Sequence, residues 1–156
     1  MYPQLVRDWM TPHPITIDPQ TVLPEAHRLM QESHIRRVPV VENGKLVGIV
    51  TLGDIREAEP SQATSLNIYE LNYLLSKLTV EHIMTRDPLH IAPDASIRQA
   101  ARLMLENKIG GLPVVEPATG KLVGIITESD IFRILVQAPE APAHENPASG
   151  AARATF

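Results

Sequence analysis

The 156-residue sequence contains no cysteine, and only 4% of its residues are aromatic. A chain without cysteine has no disulfide and offers no thiolate to a metal or a substrate. Charge or proline interrupts every apolar run before the roughly 20 residues that a membrane span needs. The first residues also lack the basic start and apolar stretch of a secretory signal. We therefore expect a cytoplasmic protein with no membrane partner.

The sequence has no excess of positive charge either. Its formal net charge is −4, and the basic residues are scattered along the chain. Binding of nucleic acid through phosphate neutralisation usually needs a basic face. The scarcity of aromatic side chains also argues against platforms that stack bases. Nucleic acid is therefore not an expected partner.

The most informative feature of the sequence is an internal repeat. Residues from Val6 onward match residues from Val80 onward at a constant offset, and the second copy gains two residues in one turn. About half of the positions in 6–56 are identical in the second copy. The identical pieces include Met10-Thr11 and Met84-Thr85, Pro39-Val40-Val41-Glu42 and Pro113-Val114-Val115-Glu116, and the Gly-Lys-Leu-Val-Gly-Ile runs that begin at Gly44 and Gly120. This agreement indicates a genuine duplication.

Each copy predicts the order β-α-β-β-α. A short extended piece (15–17; 89–91) precedes a helix (22–33; 96–107), and a hairpin and a second helix beginning near Thr51 and Thr127 follow. Asn43-Gly44 is the strongest short hairpin signal, between strands at 38–41 and 46–50. Because a unit of roughly 50 residues is marginal alone, we expect an α+β fold in which two tandem repeats pack as one pseudo-twofold module.

The repeats also define the predicted organisation of the chain. The first repeat takes residues 1–59, a linker takes 60–78, and the second repeat takes 79–137. The linker predicts an amphipathic helix at about 68–78, whose apolar stripe either packs across the module or serves self-association. Residues 138–156, rich in alanine and proline and without periodicity, predict a disordered tail.

Two Thr-x-x-Asp motifs stand where a strand meets a helix, at Thr51-Asp54 and Thr127-Asp130. In one interpretation each motif is a capping box that satisfies backbone N–H groups at the helix start. In the other, the carboxylate accepts the two hydroxyl groups of a ribose, and the threonine hydroxyl contacts sugar or phosphate. The motif alone does not choose between these interpretations.

Arg36-Arg37, just before the first hairpin strand, is a candidate phosphate site, because guanidinium groups bind phosphate oxygens in pairs. A solvated charge pair is the alternative. The second copy has Gly110-Gly111 at the same positions, which predicts two chemically unequal clefts. No catalytic constellation, phosphate-binding Gly-Lys-Ser/Thr loop or metal-ligand set is recognisable, so we expect a protein that is not an enzyme.

The combination of a Met-Thr opening, a Pro-Val-Val strand, a Gly-Lys-Leu-Val-Gly-Ile strand and a Thr-x-x-Asp ending resembles the cystathionine β-synthase (CBS) domain. Both copies carry the full set, over about residues 5–136. The linker resembles that of stand-alone bacterial CBS pairs of the acetoin-utilisation type. Such relatives often carry a further C-terminal regulatory domain, whose place the expected tail takes here.

The resemblance implies a sensor that binds an adenine nucleotide (AMP, ADP or ATP) or an S-adenosyl compound, with no required cofactor. It implies that aspartate holds the ribose, that adenine lies near the first strand and the Pro-Val-Val strand, and that phosphate meets the residues before that strand. One cleft would combine Thr127, Ser129 and Asp130 with Ile35, Arg36, Arg37 and Val38; the other would combine Thr51 and Asp54 with Ile109, Gly110, Gly111 and Leu112.

The resemblance also implies a homodimer and a protein target that the sequence does not identify. The alternative function is a structural interaction module that binds no ligand, in which both Thr-x-x-Asp motifs act only as helix caps.

Overall fold

The computed structural model describes residues 4–59 and 65–138. Its helices are α1 Val6–Trp9, α2 Leu23–Ser33, α3 Leu52–Ala58, α4 Ile68–Lys77, α5 Val80–Ile83, α6 Ile97–Asn107 and α7 Glu128–Gln137. Its strands are β1 Thr11–Pro12, β2 Arg37–Glu42, β3 Lys45–Thr51, β4 Thr85–Arg86, β5 Gly111–Val115 and β6 Leu122–Thr127. The first five residues of the predicted linker and the predicted tail from residue 139 onward lie outside the described residues.

The predicted α+β fold is confirmed. Helices α2 and α6 begin one residue later than the sequence predicts, because Val22 and Ser96 are extended N-cap residues. The β2–β3 hairpin turns at Asn43 and Gly44, which have φ values of 53° and 79°. Positive φ at both positions matches the right-handed twist of the strands, and asparagine followed by glycine tolerates it best.

The predicted opening extended pieces pair with the hairpins, but only through single parallel bridges from Ile17 to Val40 and from Ile91 to Val114. The structure also has two-residue strands earlier in each repeat, β1 and β4, which the sequence analysis did not predict. Prolines lie close on both sides of Ile17 and of Ile91. Since proline has no N–H group to donate, a longer ladder cannot form there.

The sheets exchange strands between the repeats, which the sequence analysis did not foresee. The strand order is β1-β6-β5 in one three-stranded sheet and β2-β3-β4 in the other. Thr11 of the first repeat therefore pairs with Ile125 of the second, and Thr85 of the second pairs with Ile49 of the first. Each hairpin is completed by the opening strand of the other repeat.

Close packing of methionine on glycine explains two of the repeated motifs. A Cβ atom built on Gly124 would stand 2.5 Å from Met10 Sδ and 3.0 Å from the Thr11 carbonyl oxygen. The same distances separate a Cβ on Gly48 from Met84 Sδ and the Thr85 oxygen. The Met-Thr opening of one repeat therefore lies on the Gly-Ile strand of the other, where a larger residue would not fit.

The two hydrophobic cores also combine residues of both repeats. The first holds residues of repeat one together with Val80 and Met84 from the start of repeat two. The second holds residues of repeat two together with Val6, and Trp9 and Met10 pack against it. Val6 and Val80 are completely buried. Neither core is complete without side chains from the other repeat.

The predicted linker helix is confirmed as α4. Asn67 caps it, because its Oδ1 accepts a hydrogen bond from Glu70 N at 2.9 Å, and Glu70 Oε2 accepts one from Asn67 N at 3.2 Å. Leu71 and Leu75 face a groove beside α2, whereas Tyr69 is 82% exposed. Within the described ranges, no helix has the length and apolar character needed to cross a bilayer.

Candidate functional site

A cleft of about 600 Å³ lies between the repeats, where the start of β2 faces the end of β6. It contains residues from the end of α2, from the start of α7 and from the segment after β1. These lining residues are Thr11, His13, Pro14, Ile15, His34, Ile35, Arg36, Arg37, Pro39, Gly110, Ile125, Thr127, Glu128 and Ser129. The structure thus brings together most of the first cleft that the sequence analysis predicts.

The basic side of this cleft is built by the end of α2. His34 adopts a left-handed conformation (φ 54°, ψ 41°), which ends the helix and turns the chain into β2. Ile35 N then donates to Met30 O at 3.0 Å, so this corner is fixed to the helix. The turn leaves Arg36 exposed and Arg37 half-buried, and both line the cleft.

The opposite side is formed by the Thr127-Asp130 motif. Asp130 is 4% exposed, and its Oδ2 accepts hydrogen bonds from Thr127 N at 2.8 Å and from Thr127 Oγ1 at 3.3 Å. Its Oδ1 accepts one from Arg133 Nη1 at 2.9 Å. The carboxylate therefore lies behind Thr127, while Thr127 and Ser129 line the cleft itself.

The Thr51-Asp54 motif has a different hydrogen-bond pattern. Thr51 Oγ1 accepts from Asp54 N at 3.1 Å, and Asp54 Oδ2 accepts from Thr51 N at 2.9 Å. This reciprocal pair is a complete capping box at the start of α3. A capping box is also present at the start of α7, where Asp130 Oδ2 accepts from Thr127 N. The motifs differ in the threonine hydroxyl, which at α7 donates to Asp130 at 3.3 Å.

Arg37 links the two sets of predicted site residues. Its Cα is paired with Thr51 across the β2–β3 hairpin, but its guanidinium lies against Gly110 and Gly111 of the other repeat. A Cβ atom on Gly110 would stand 2.8 Å from Arg37 Nη2, and one on Gly111 would overlap Arg37 Nη1. A side chain at either position would displace the Arg37 guanidinium from this arrangement.

Seven of the thirteen predicted residues are not among those that line the open cleft, namely Val38, Thr51, Asp54, Ile109, Gly111, Leu112 and Asp130. Val38 and Leu112 are completely buried, each in one of the two cores. Ile109 packs against the second core and lines a groove between α6 and α7. Gly110, which the sequence analysis assigns to the second cleft, lines the first.

The sequence analysis did not name several cleft residues, among them Thr11, His13, His34 and Ile125. Their place depends on the strand exchange, which carries the segment after β1 to the end of β6. The resemblance pointed to the neighbourhood of the first strand, where Pro14 and Ile15 line the cleft, but it did not identify these side chains. Glu128 lies inside the second Thr-x-x-Asp motif, but the sequence analysis did not predict it as a cleft residue.

Among the described residues, no group of three or more histidine, aspartate or glutamate side chains could hold a metal ion. His27 Nδ1 lies 2.6 Å from Glu59 Oε1, so its ring is engaged in a pair between α2 and the end of α3. The cleft offers guanidinium groups, hydroxyl groups and apolar walls to a bound molecule.

The model of the CBS domain family matches residues 6–61 and 80–137. The chain therefore belongs to the CBS domain family and carries the domain as a tandem pair.

Solved structures of similar proteins include an acetoin-utilization protein (AcuB) from Vibrio cholerae, 37% identical, with a TM-score of 0.72 over 86% of this chain and 92% of that one. CBSX2 from Arabidopsis thaliana, solved in complex with AMP, is 34% identical, with a TM-score of 0.71 over 86% and 97%. The CBS pair of protein MJ0100, solved with 5′-methylthioadenosine and S-adenosyl-L-methionine, is 32% identical, with a TM-score of 0.70 over 86% and 98%.

The chain spans only 21% and 36% of the lengths of two curated relatives that it matches, the first an inosine-5′-monophosphate dehydrogenase from Korarchaeum cryptofilum. A relative from Dictyostelium discoideum, by contrast, is 34% identical and is covered over 94% of its length.

Proposed function

We propose that this CBS pair is a regulatory module that binds an adenine nucleotide or an adenosyl compound in the cleft between Arg36-Arg37 and Thr127-Ser129. The observation that carries the proposal is this convergence: arginine side chains of one repeat and hydroxyl side chains of the other line one cavity of about 600 Å³. That volume suits a ligand of nucleotide size. The complexes of similar CBS pairs with AMP, 5′-methylthioadenosine and S-adenosyl-L-methionine support the ligand class.

Each wall of the cleft has a role in this proposal. The exposed guanidinium of Arg36 binds phosphate oxygens in a bidentate manner. Ile15, Ile35 and Ile125 line the cleft and offer apolar contact to adenine. The Thr127 hydroxyl, which already faces Asp130, contacts the sugar.

Asp130 holds the ribose hydroxyl groups in this proposal, which requires Arg133 to release or share its Oδ1. The side chain of Arg133 is 54% exposed, whereas that of Asp130 is only 5% exposed. Because a buried carboxylate left without a partner is costly, the ribose hydroxyl groups must replace the hydrogen bond from Arg133 as it is released.

Regulation follows if the ligand binds two conformations of the pair with different affinity. A ligand in this cleft touches both repeats at once, so its binding favours one relative placement of them. A protein target that reads this placement remains to be identified. We propose a cytoplasmic location because a chain without cysteine gains nothing from an oxidising compartment. Nothing in the proposed role requires catalysis.

The proposal is tested by titrating the protein with AMP, ADP, ATP, S-adenosylmethionine and GTP while measuring heat and thermal stability. A ligand at one hundred times its Kd should stabilise the fold by about 2.7 kcal/mol. Asp130→Asn should abolish this stabilisation. The matched control, Asp54→Asn at the same position of the first repeat, should keep it. If no adenine compound binds, the alternative function, an interaction module whose motifs only cap helices, is favoured.

We also propose that the protein is a homodimer joined through the outer face of α6 and α7. Leu105, Phe132, Leu135 and Val136 are 60–83% exposed on this face. The counterparts of the first three in repeat one are Gln31, Arg56 and Glu59, and there α4 adjoins the face through Leu71 and Leu75.

In repeat one, where α4 adjoins this face, these positions are polar. In repeat two, where the same face is exposed, they are apolar. A second copy related by a twofold axis would bury this apolar face against its own equivalent. Analytical ultracentrifugation should show a dimer that Phe132→Ser weakens and the matched Arg56→Ser does not. A monomeric parent protein would contradict this part of the proposal.

A further inference from the structure

The basic side chains that line the cleft all come from the first repeat. Arg36 and Arg37 lie at the start of β2, His13 lies in the segment after β1, and His34 is the residue that ends α2. The second repeat contributes a glycine, an isoleucine, two hydroxyl side chains and the carboxylate of Glu128. The sources of positive charge in the cleft lining are thus two arginines and two histidines of one repeat.

The backbone at the two histidines is set by the fold and does not require an imidazole ring. His13 and His34 have positive φ values of 49° and 54°. Their counterparts in the second repeat, Asp87 and Lys108, have the same left-handed conformation, with φ values of 46° and 54°. The turn in the chain therefore explains the backbone conformation at these positions and leaves the choice of side chain open.

His13 and His34 also differ from the other described histidines in their surroundings. Both are exposed at the cleft, and within residues 4–59 and 65–138 no hydrogen bond or ion pair engages either ring. Each of the other three has a ring nitrogen within 3.1 Å of an oxygen atom, in the pairs His27 with Glu59, His82 with Thr79 and His90 with Pro88. The two unengaged rings are therefore the two that face the cleft.

The acidic groups near the two histidines are few. In the cleft lining as described, Glu128 of α7 is the single carboxylate, and it lies near the Arg37 guanidinium. Asp130 is engaged by Arg133, and Glu32, two residues before His34 on α2, lines a different groove. An anion in the cleft thus meets two permanent positive charges and two rings whose positive charge increases as the pH falls.

We propose that His13 and His34 complete a phosphate site with Arg36 and Arg37, so that the cleft selects a nucleoside phosphate and binds it more tightly as the pH falls. This inference rests on the proposed function and selects among its ligand classes. A phosphate beside an imidazole ring favours the protonated ring, so binding takes up protons. The gain in affinity is present at low pH and is lost as the pH rises. The same four side chains repel the sulfonium charge of S-adenosylmethionine.

The test is calorimetric titration of the whole chain with AMP and with adenosine at about pH 6.5 and about pH 8, a range in which histidine changes its charge. We expect AMP to bind about fivefold more tightly at the lower pH, the effect of one exposed charge pair, and adenosine to bind equally at both. Titrations in buffers of different ionisation enthalpy should show proton uptake with AMP and none with adenosine. Lower pH is avoided, because the phosphate itself gains a proton near pH 6.

Asparagine is the replacement of choice, because it adopts the left-handed conformation readily. The double variant His13→Asn/His34→Asn should lose the pH dependence and the proton uptake and should still bind adenosine. His34→Lys, which installs the side chain that Lys108 carries on the same backbone conformation, should keep AMP binding tight at about pH 8. The matched control is His82→Gln, at an exposed histidine of α5 outside the cleft lining, which should behave as the parent protein.

The possible failures are distinguishable. AMP binding that does not change with pH, or a pH dependence that survives in the double variant, would overturn the role of the histidines and leave the proposed function standing. Tighter binding of S-adenosylmethionine than of AMP would overturn the selection of a phosphate. Absence of binding by AMP, adenosine and S-adenosylmethionine would overturn the proposed function, and this inference with it.

Discussion

Glu128→Gln removes a negative charge from the wall of the cleft that we propose binds a nucleotide. Glu128 is exposed, lines the cleft and lies beside Gly110. Its counterpart in the first repeat is Leu52, so this charge has no equivalent there. The carboxylate lies near the Arg37 guanidinium beside Gly110, and it opposes any phosphate that approaches the same guanidinium.

The size of this opposition follows from the geometry. Glu128 Oε1 and Arg37 Nη2 stand 2.6 and 2.8 Å from the position of a Cβ atom on Gly110, so they are at most about 5.4 Å apart. Unit charges at this separation interact by about 3 kcal/mol at an effective dielectric constant of about 20. Exposure and salt reduce the interaction to about 1 kcal/mol. Removing the charge should therefore strengthen AMP binding about fivefold.

Calorimetry with AMP and adenosine at low and high salt measures this effect. We expect Glu128→Gln to lower the Kd of AMP at low salt, to lower it less at high salt, and to leave that of adenosine unchanged. Glu57→Gln, an exposed carboxylate on α3 away from the cleft lining, is the control. An equal change for AMP and adenosine, or weaker AMP binding, would refute the electrostatic reasoning.

Three further predictions concern stability. In chemical denaturation, Gly124→Ala should lower the free energy of unfolding by about 1–3 kcal/mol, because its Cβ would meet Met10 and a backbone oxygen. The control Gly53→Ala, whose Cβ would have its nearest contact at 3.7 Å, should be neutral or stabilising. Thr51→Ala should cost about 1 kcal/mol in the same assay and Thr127→Ala less, because only the Thr51 hydroxyl accepts a helix N–H. Val6→Ala should lower the free energy of unfolding by about 2 kcal/mol. It should also increase hydrogen exchange in β5 and β6 more than in β2 and β3. The reverse pattern would contradict the assignment of Val6 to the second core.

The local elements could be predicted from the sequence because their signals are local. Asn43-Gly44 fixed a two-residue turn through its backbone preference, and Leu71 and Leu75 marked the face of α4 that adjoins α2. The capping box at Thr51 and Asp54 was also recognised as one of two interpretations. Each of these features depends on residues within a few positions of one another.

The strand exchange could not be predicted in the same way. The two copies carry nearly the same motifs, so Met10 matches Gly48 of its own repeat as well as it matches Gly124 of the other. Strands of two residues next to proline also have too little pattern to specify a partner. The place of Arg37 was hidden for a related reason, because it depends on how the repeats face each other across the axis.

The exchange of opening segments also bears on the origin of the chain. A single repeat with this fold would lack the segment that completes its core and could obtain it only from a second molecule. Joining two repeats in one polypeptide turns that bimolecular exchange into an intramolecular one, at an effective concentration on the order of millimolar. It also lets the two halves differ. In a symmetric pair of identical chains, an arginine at position 37 would meet another arginine, whereas a fused gene can place a glycine opposite it.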